Sequence, residues 1–311
     1  MSGSVRSGAG LLWRHQRLVW WIFAVNLTIA WLSSLSARAM LSKVLDHSLE
    51  SAKLVTGFNL GALVLMLERP DVQMGSLTSD MLGASLIFLV YLLFIDGGVL
   101  TVYLEDRKLS RAEFFENAGL FFWRMVRLSL YSLIPFALLG AAHSGINNAA
   151  GRLASDAAPE RLGFYVQVGG GLVIALLALL VRLWFDLAQA RVVRDGERQI
   201  FRTLLHSFKP AFTSGLYVKY VGIGLLGMLA FAAGTGVWVY LPHQAAAASF
   251  VVLELVTVTA IATRLWLKAT SASWVALQPS GAAVTAAPPS ESSAPASEDG
   301  LEASPNAPLP E

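Results

Sequence analysis

Apolar residues arrive along this chain in long unbroken runs, not in the alternation of a half-buried strand or the three-and-four spacing of a water-facing helix. Six runs stand out, at 18–37, 81–104, 126–142, 163–186, 216–241 and 245–267. Crossing a hydrocarbon core about 30 Å thick takes roughly twenty apolar residues in a helix, and five of the six runs reach that length. Lipid offers no partner to backbone N–H and C=O groups, so each run must close its hydrogen bonds internally as a helix. The runs are too long and alternate too little to be barrel strands. The pattern therefore predicts an all-α polytopic transmembrane bundle of about six spans.

Between the runs the pattern changes. Residues 38–80 form the longest segment on one side, and Leu41, Val44, Leu45, Leu49 and Ala52 recur there near helical spacing opposite Lys43, Asp46, Glu50 and Lys53. An amphipathic helix lying on the outer surface is expected. The following LVTGFNLGALVLML, residues 54–67, is too short to span and reads as interfacial or re-entrant, with Gly57 and Gly61 permitting close approach to a neighbour. On the other side, two connectors share a design. Asp96 and Asp186 lie ninety residues apart near the ends of their spans, and an acidic residue follows nine positions later in each, Glu105 or Asp195. A basic connector then presents an apolar face, Phe114, Phe115 and Phe122 in the first and Phe201, Leu204, Leu205 and Phe208 in the second. The two hairpins are either a parallel duplication or separately derived amphipathic elbows. Pro210 is expected to end the second connector and start the return into the membrane.

Composition agrees with the pattern, since 55% of the residues are hydrophobic and 14% charged, where a soluble domain carries about a quarter charged. Lys and Arg set the orientation. Fifteen fall at the N-terminus, the 105–127 and 188–215 connectors and the C-terminal end, and six in the intervening loops. This places both termini in the cytoplasm by the positive-inside rule. Trp13, Trp20, Trp21, Trp123, Trp184, Trp266 and Trp274 lie near the same ends, as interfacial anchors do. The abundance of Ala, and of Arg over Lys, is compatible with a GC-rich bacterial genome, and with the spans a bacterial inner-membrane protein is expected. The first run is longer than a secretory h-region and is read as a retained span, although Ala37-Arg38-Ala39 has the small-x-small form of a signal-peptidase site. Residues 1–277 then form the membrane domain. From 278 the chain is rich in Ala, Ser and Pro, with five acidic residues after Pro279 and no Lys or Arg, and a disordered cytoplasmic tail is expected.

Two stretches, VLDHSLESAKLVTGFNLG at 44–61 and WFDLAQARVVRDG at 184–196, resemble an uncharacterised group of bacterial multi-span membrane proteins. The second also looks like the cytoplasmic turns of membrane domains found beside glycerophosphodiester phosphodiesterases. The resemblance implies a polytopic helical fold. It carries no enzyme function across, because the segment after the last span is too short to be a phosphodiesterase domain.

Chemistry is sparse. With no cysteine there is neither a thiolate nucleophile nor a thiolate metal site. The five histidines show no ligand spacing, and Asp46-His47-Ser48 cannot act as a triad, because adjacent helical residues point about 100° apart. Gly222-Ile-Gly224-Leu-Leu-Gly227 matches the glycines of a dinucleotide fingerprint but lacks a preceding strand, so helix packing is the expected role, extended by Ala230 and Gly234. Gly169, Gly170 and Gly171 offer either a close crossing or a helix break. No catalytic, cofactor or metal site is expected. The intramembrane polar contacts are Asp96, Arg182, Asp186 and Glu254, with Arg182 and Asp186 four apart as an ion pair and Arg182 also a partner open to Glu254. The leading expectation is a non-enzymatic envelope protein that handles lipid or another amphiphile, or assembles with a membrane partner. Its alternative is a small secondary transporter with Asp96, Arg182 and Glu254 along a polar path. The basic connectors face anionic inner-leaflet lipid and not nucleic acid.

Overall fold

The computed structural model describes residues 3–45, 74–156, 161–197, 199–213, 215–241 and 246–278. They form eight helices: α1 (Gly3–Arg14), α2 (Arg17–Leu45), α3 (Met74–Glu105), α4 (Arg111–Asp156), α5 (Arg161–Asp195), α6 (Ile200–Thr213), α7 (Leu216–Tyr240) and α8 (Ala246–Ala276). Six of them, α2 to α5 with α7 and α8, are long and apolar enough to cross a membrane. The chain is thus an α-helical multi-pass membrane protein. Most of the outer amphipathic segment, the 54–67 run and the tail from 279 lie outside the described residues, while the start of that outer segment continues α2 without a break to Leu45.

The first connector is not a separate elbow. Its apolar face forms the opening turns of α4, a single helix of 46 residues and roughly 70 Å that runs on through Pro135. The second connector is the separate helix α6. It does not end at Pro210, which sits inside it; the turn comes at Gly215, whose φ of 63° is the left-handed conformation that glycine adopts without cost. Lacking an N–H, Pro210 leaves the His206 carbonyl without its helical donor. Arg191 of α5 supplies one, its Nη1 donating to that oxygen at 2.8 Å. Along α6, Ile200, Thr203, Leu204, Ser207 and Ala211 are buried at three-and-four spacing, while Phe201, Leu205, Phe208 and Phe212 form a second, exposed apolar stripe. Leu204 therefore belongs to the packed face, not to the outer one.

Small residues set the helix crossings. A Cβ on Gly170 would stand 2.5 Å from Ile146, and one on Gly163 would stand 2.7 Å from the Ala150 carbonyl, so the glycines of α5 admit α4 closely and α5 continues unbroken through all three. On α7, Gly227 meets Thr263 and Gly234 meets Val256, both on α8, while Gly224 lies against Leu179 of α5. Gly222 meets nothing within 4 Å and Ala230 is exposed, so the packing surface is the seven-residue repeat of Gly227 and Gly234 and not the fingerprint pattern.

The core gathers at one end of the bundle, the end bearing the basic connectors. It is built from Val99, Leu100 and Tyr103 of α3, Met125 and Leu128 of α4, Leu183 and Leu187 of α5, Leu216 and Tyr220 of α7, and Leu267 and Val275 of α8. At the opposite end large apolar side chains such as Leu86, Leu133, Phe164, Leu229 and Val251 are exposed, as lipid-facing residues are. Helix α1, which the apolar runs do not predict, packs against the last turns of α8; its Gly8 lies so close to Thr270 that a Cβ would stand 2.5 Å from the hydroxyl.

Candidate functional site

Helix α3 presents three working faces at the packed end, because residues one, three and four positions apart diverge by fixed angles of about 100° per residue. The first carries Asp96 toward α8. Its carboxylate is 7% exposed and accepts a bond from Lys268 Nζ at 2.7 Å, with Arg264 Nη2 at 3.9 Å. Lys268, 3% exposed, also donates to Gln189 Oε1 of α5 at 2.9 Å. Three positions before Gln189 the buried Asp186 accepts a hydrogen bond from the Tyr220 hydroxyl of α7. Half-buried Arg182 interacts with Tyr220 and with the carboxylates of Asp186 and Asp96. Four helices are thereby tied by one polar cluster, in which each carboxylate has a charged or hydroxyl partner.

The structure thus brings Asp96, Arg182 and Asp186 together, with Asp186 answered by Tyr220 as well as by Arg182. It does not bring Glu254 to them. That residue is ten positions before Arg264 on α8, about 15 Å along the axis, and makes no hydrogen bond or ion pair among the described residues.

The second face of α3 carries Gly97 and Gly98. A Cβ on Gly97 would meet Phe121 at 2.9 Å, and one on Gly98 would meet Phe114 at 2.8 Å and its carbonyl at 2.9 Å, so α4 is seated directly on this backbone. The glycines bring in a neighbour and do not loosen the helix.

The third face borders a cavity of about 300 Å³. One wall is Tyr91, Ile95, Val99 and Val102 of α3, spaced four, four and three; the facing wall is Leu18, Trp21, Ile22 and Val25 of α2, spaced three, one and three. Phe114 and Phe115 of α4 close it, with Phe114 fixed by Gly98. The interior is apolar and the mouth cationic, lined by Arg14, His15, Arg17, Lys108 and Arg111. One arginine at this mouth is already committed. Arg14 pairs with Asp106 at 2.5 Å, beside His15 Nε2 at 3.4 Å from the same carboxylate. Asp106 holds φ 47°, the left-handed region that Asp enters more readily than most residues, and so clamps the α3–α4 turn onto the α1–α2 hinge. Arg107 bonds Glu105 at 2.6 Å and Glu113 at 3.4 Å, and these hydrogen bonds hold its guanidinium above its ordinary pKa. Glu113 also closes a capping box with Ser110, accepting from its N–H at 2.7 Å. Arg17, Lys108 and Arg111 have no carboxylate partner among the described residues; Arg111 lies 5.9 Å from the Trp21 ring centroid, a cation–π contact.

Asp96, Arg182, Asp186 and Glu254 are all absent from the lining of this cavity. Spacing reveals the carboxylates but not Lys268, Arg264, Gln189 or Tyr220, which come from other helices. The cavity had a readable sign in the apolar spacing of Leu18, Trp21, Ile22 and Val25 directly after Arg14 and Arg17. Among the described residues, no group of His, Asp and Glu is placed to hold a metal ion. No protein-family model matches the chain, and neither the curated proteins nor the solved structures include a match to it.

Proposed function

We propose that this chain is a non-enzymatic multi-pass protein of the bacterial inner membrane, with cytoplasmic termini, that binds an anionic amphiphile from the inner leaflet. The observation that carries the reading is the cavity, apolar along two helices and cationic at its opening, at the end of the bundle where the connectors lie. Small-molecule sites run from about 300 to 1,000 Å³, and this one is at the lower limit, a size for one hydrocarbon chain and not for a whole two-chain lipid. The exposed apolar stripe of α6, flanked by Arg202 and Lys209, suits a helix lying in the anionic surface of the same leaflet. The permease alternative draws less support: Asp96 and Lys268 neutralise one another in the core, and Glu254 stands apart from both.

Organic extraction of the purified chain, followed by mass spectrometry, tests the reading. One amphiphile per chain is expected from the native protein, and a marked loss from Val25→Trp, which fills the wall of the cavity. A native protein free of bound amphiphile that also fails to take up a spin-labelled fatty acid would sink the proposal.

A further inference from the structure

Resting on that amphiphile reading, we infer that the preferred occupant is a single-chain amphiphile whose headgroup is a phosphate monoester. Charge at the mouth decides the headgroup. Arg14 is taken by Asp106, and Arg107, outside the lining, is shared by Glu105 and Glu113, so two cations face three carboxylates and one negative charge is left to set against the rest. Arg17, Lys108 and Arg111 remain, three exposed cations from three separate elements lining one opening. A phosphodiester headgroup brings one negative charge, whereas a monoester brings about 1.5 to 2 at neutral pH together with three acceptor oxygens. Two guanidiniums can each grip such a group with paired N–H donors, and a lysine adds a point charge. Arg17 and Arg111 are the first residues of α2 and α4, so the positive ends of both helix dipoles act in the same sense. The α4 end is already closed by its Ser110–Glu113 capping box, which leaves anion recognition to the side chains. Below the mouth, Trp21 and Phe115 flank the entrance to an interior sized for one chain.

The test uses the full chain in nanodiscs of zwitterionic lipid, titrated calorimetrically with dodecyl phosphate, dodecyl sulfonate, dodecylphosphocholine and inorganic phosphate. Dodecyl phosphate is expected to bind roughly tenfold or more tighter than the sulfonate, a difference of one charge-assisted contact, and the phosphocholine more weakly still. Arg17→Gln and Arg111→Gln should each weaken dodecyl phosphate by about tenfold and dodecylphosphocholine by clearly less. Lys108→Gln, in the exposed turn, gives the same readout with the helix starts intact. Equal binding of all three dodecyl compounds would overturn the monoester inference and leave the amphiphile reading standing. Binding of none would remove both. Inorganic phosphate binding as tightly as dodecyl phosphate would show that the chain adds nothing, and would likewise overturn the inference.

Discussion

Neutralising Asp96 tests whether the polar cluster is the tie that fixes α3 to α8. Lys268 Nζ lies 2.7 Å from the Asp96 carboxylate, and both side chains are more than nine-tenths buried. At an effective dielectric of about 20 the gross attraction is roughly 6 kcal/mol, most of it offset by the cost of removing both charges from water. Asp96→Asn leaves Lys268 and Arg264 without the carboxylate they face, while Asp186 still answers Arg182. An uncompensated buried charge costs about 3–5 kcal/mol, and that is the expected loss. Lys268→Met is milder, about 1–2 kcal/mol, because Arg264 at 3.9 Å and Arg182 still answer Asp96. The double variant Asp96→Asn/Lys268→Met removes both members and should recover about 1–3 kcal/mol relative to the sum of the single losses. Unfolding in mixed micelles by titration with dodecyl sulfate, followed by tryptophan fluorescence, gives the three free energies. A loss below about 1 kcal/mol for Asp96→Asn, or a coupling near zero, would refute the reasoning.

Gly98→Ala places a methyl group 2.8 Å from the Phe114 ring and 2.9 Å from its carbonyl, and is expected to cost about 1–3 kcal/mol and to weaken amphiphile uptake through the displaced Phe114; unchanged melting and uptake would contradict that. Glu254→Gln removes a carboxyl without partners among the described residues and should leave the melting temperature unchanged or raised; a loss above about 1 kcal/mol would contradict that. Tyr103→Phe deletes a buried hydroxyl that has no hydrogen-bond partner among the described residues, so stability should hold or rise by about 1 kcal/mol in the same titration; a clear loss would mean that the hydroxyl is bonded.

The architecture was readable because an apolar run of about twenty residues has few alternatives to a membrane helix, and the six runs, five of them of that length, became six long helices. Asp96, Arg182 and Asp186 were readable for the complementary reason, that a charge within such a run is conspicuous. Their partners were not, since Lys268 is 79 positions from Gln189 and its place beside Asp96 depends on how α8 crosses α3 and α5. Helix α1 was not legible because among its described residues only Gly8 and Leu11 are buried, too few to make an apolar run, although their spacing of three is helical. The end of α6 was misplaced at Pro210 because a neighbouring arginine satisfies the carbonyl that proline strands, a compensation from outside the local sequence.

The uneven distribution of the core has a consequence for handling the protein. Residues 95–103 of α3 are interlocked with their neighbours, whereas residues 130–138 of α4 point large apolar groups outward and draw cohesion from the surrounding acyl chains. Short-chain detergents should therefore fray the molecule from its sparsely packed half, with amide deuteration spreading through 130–138 long before it reaches 95–103. Bicelles or long-chain surfactants are the media in which both halves should hold.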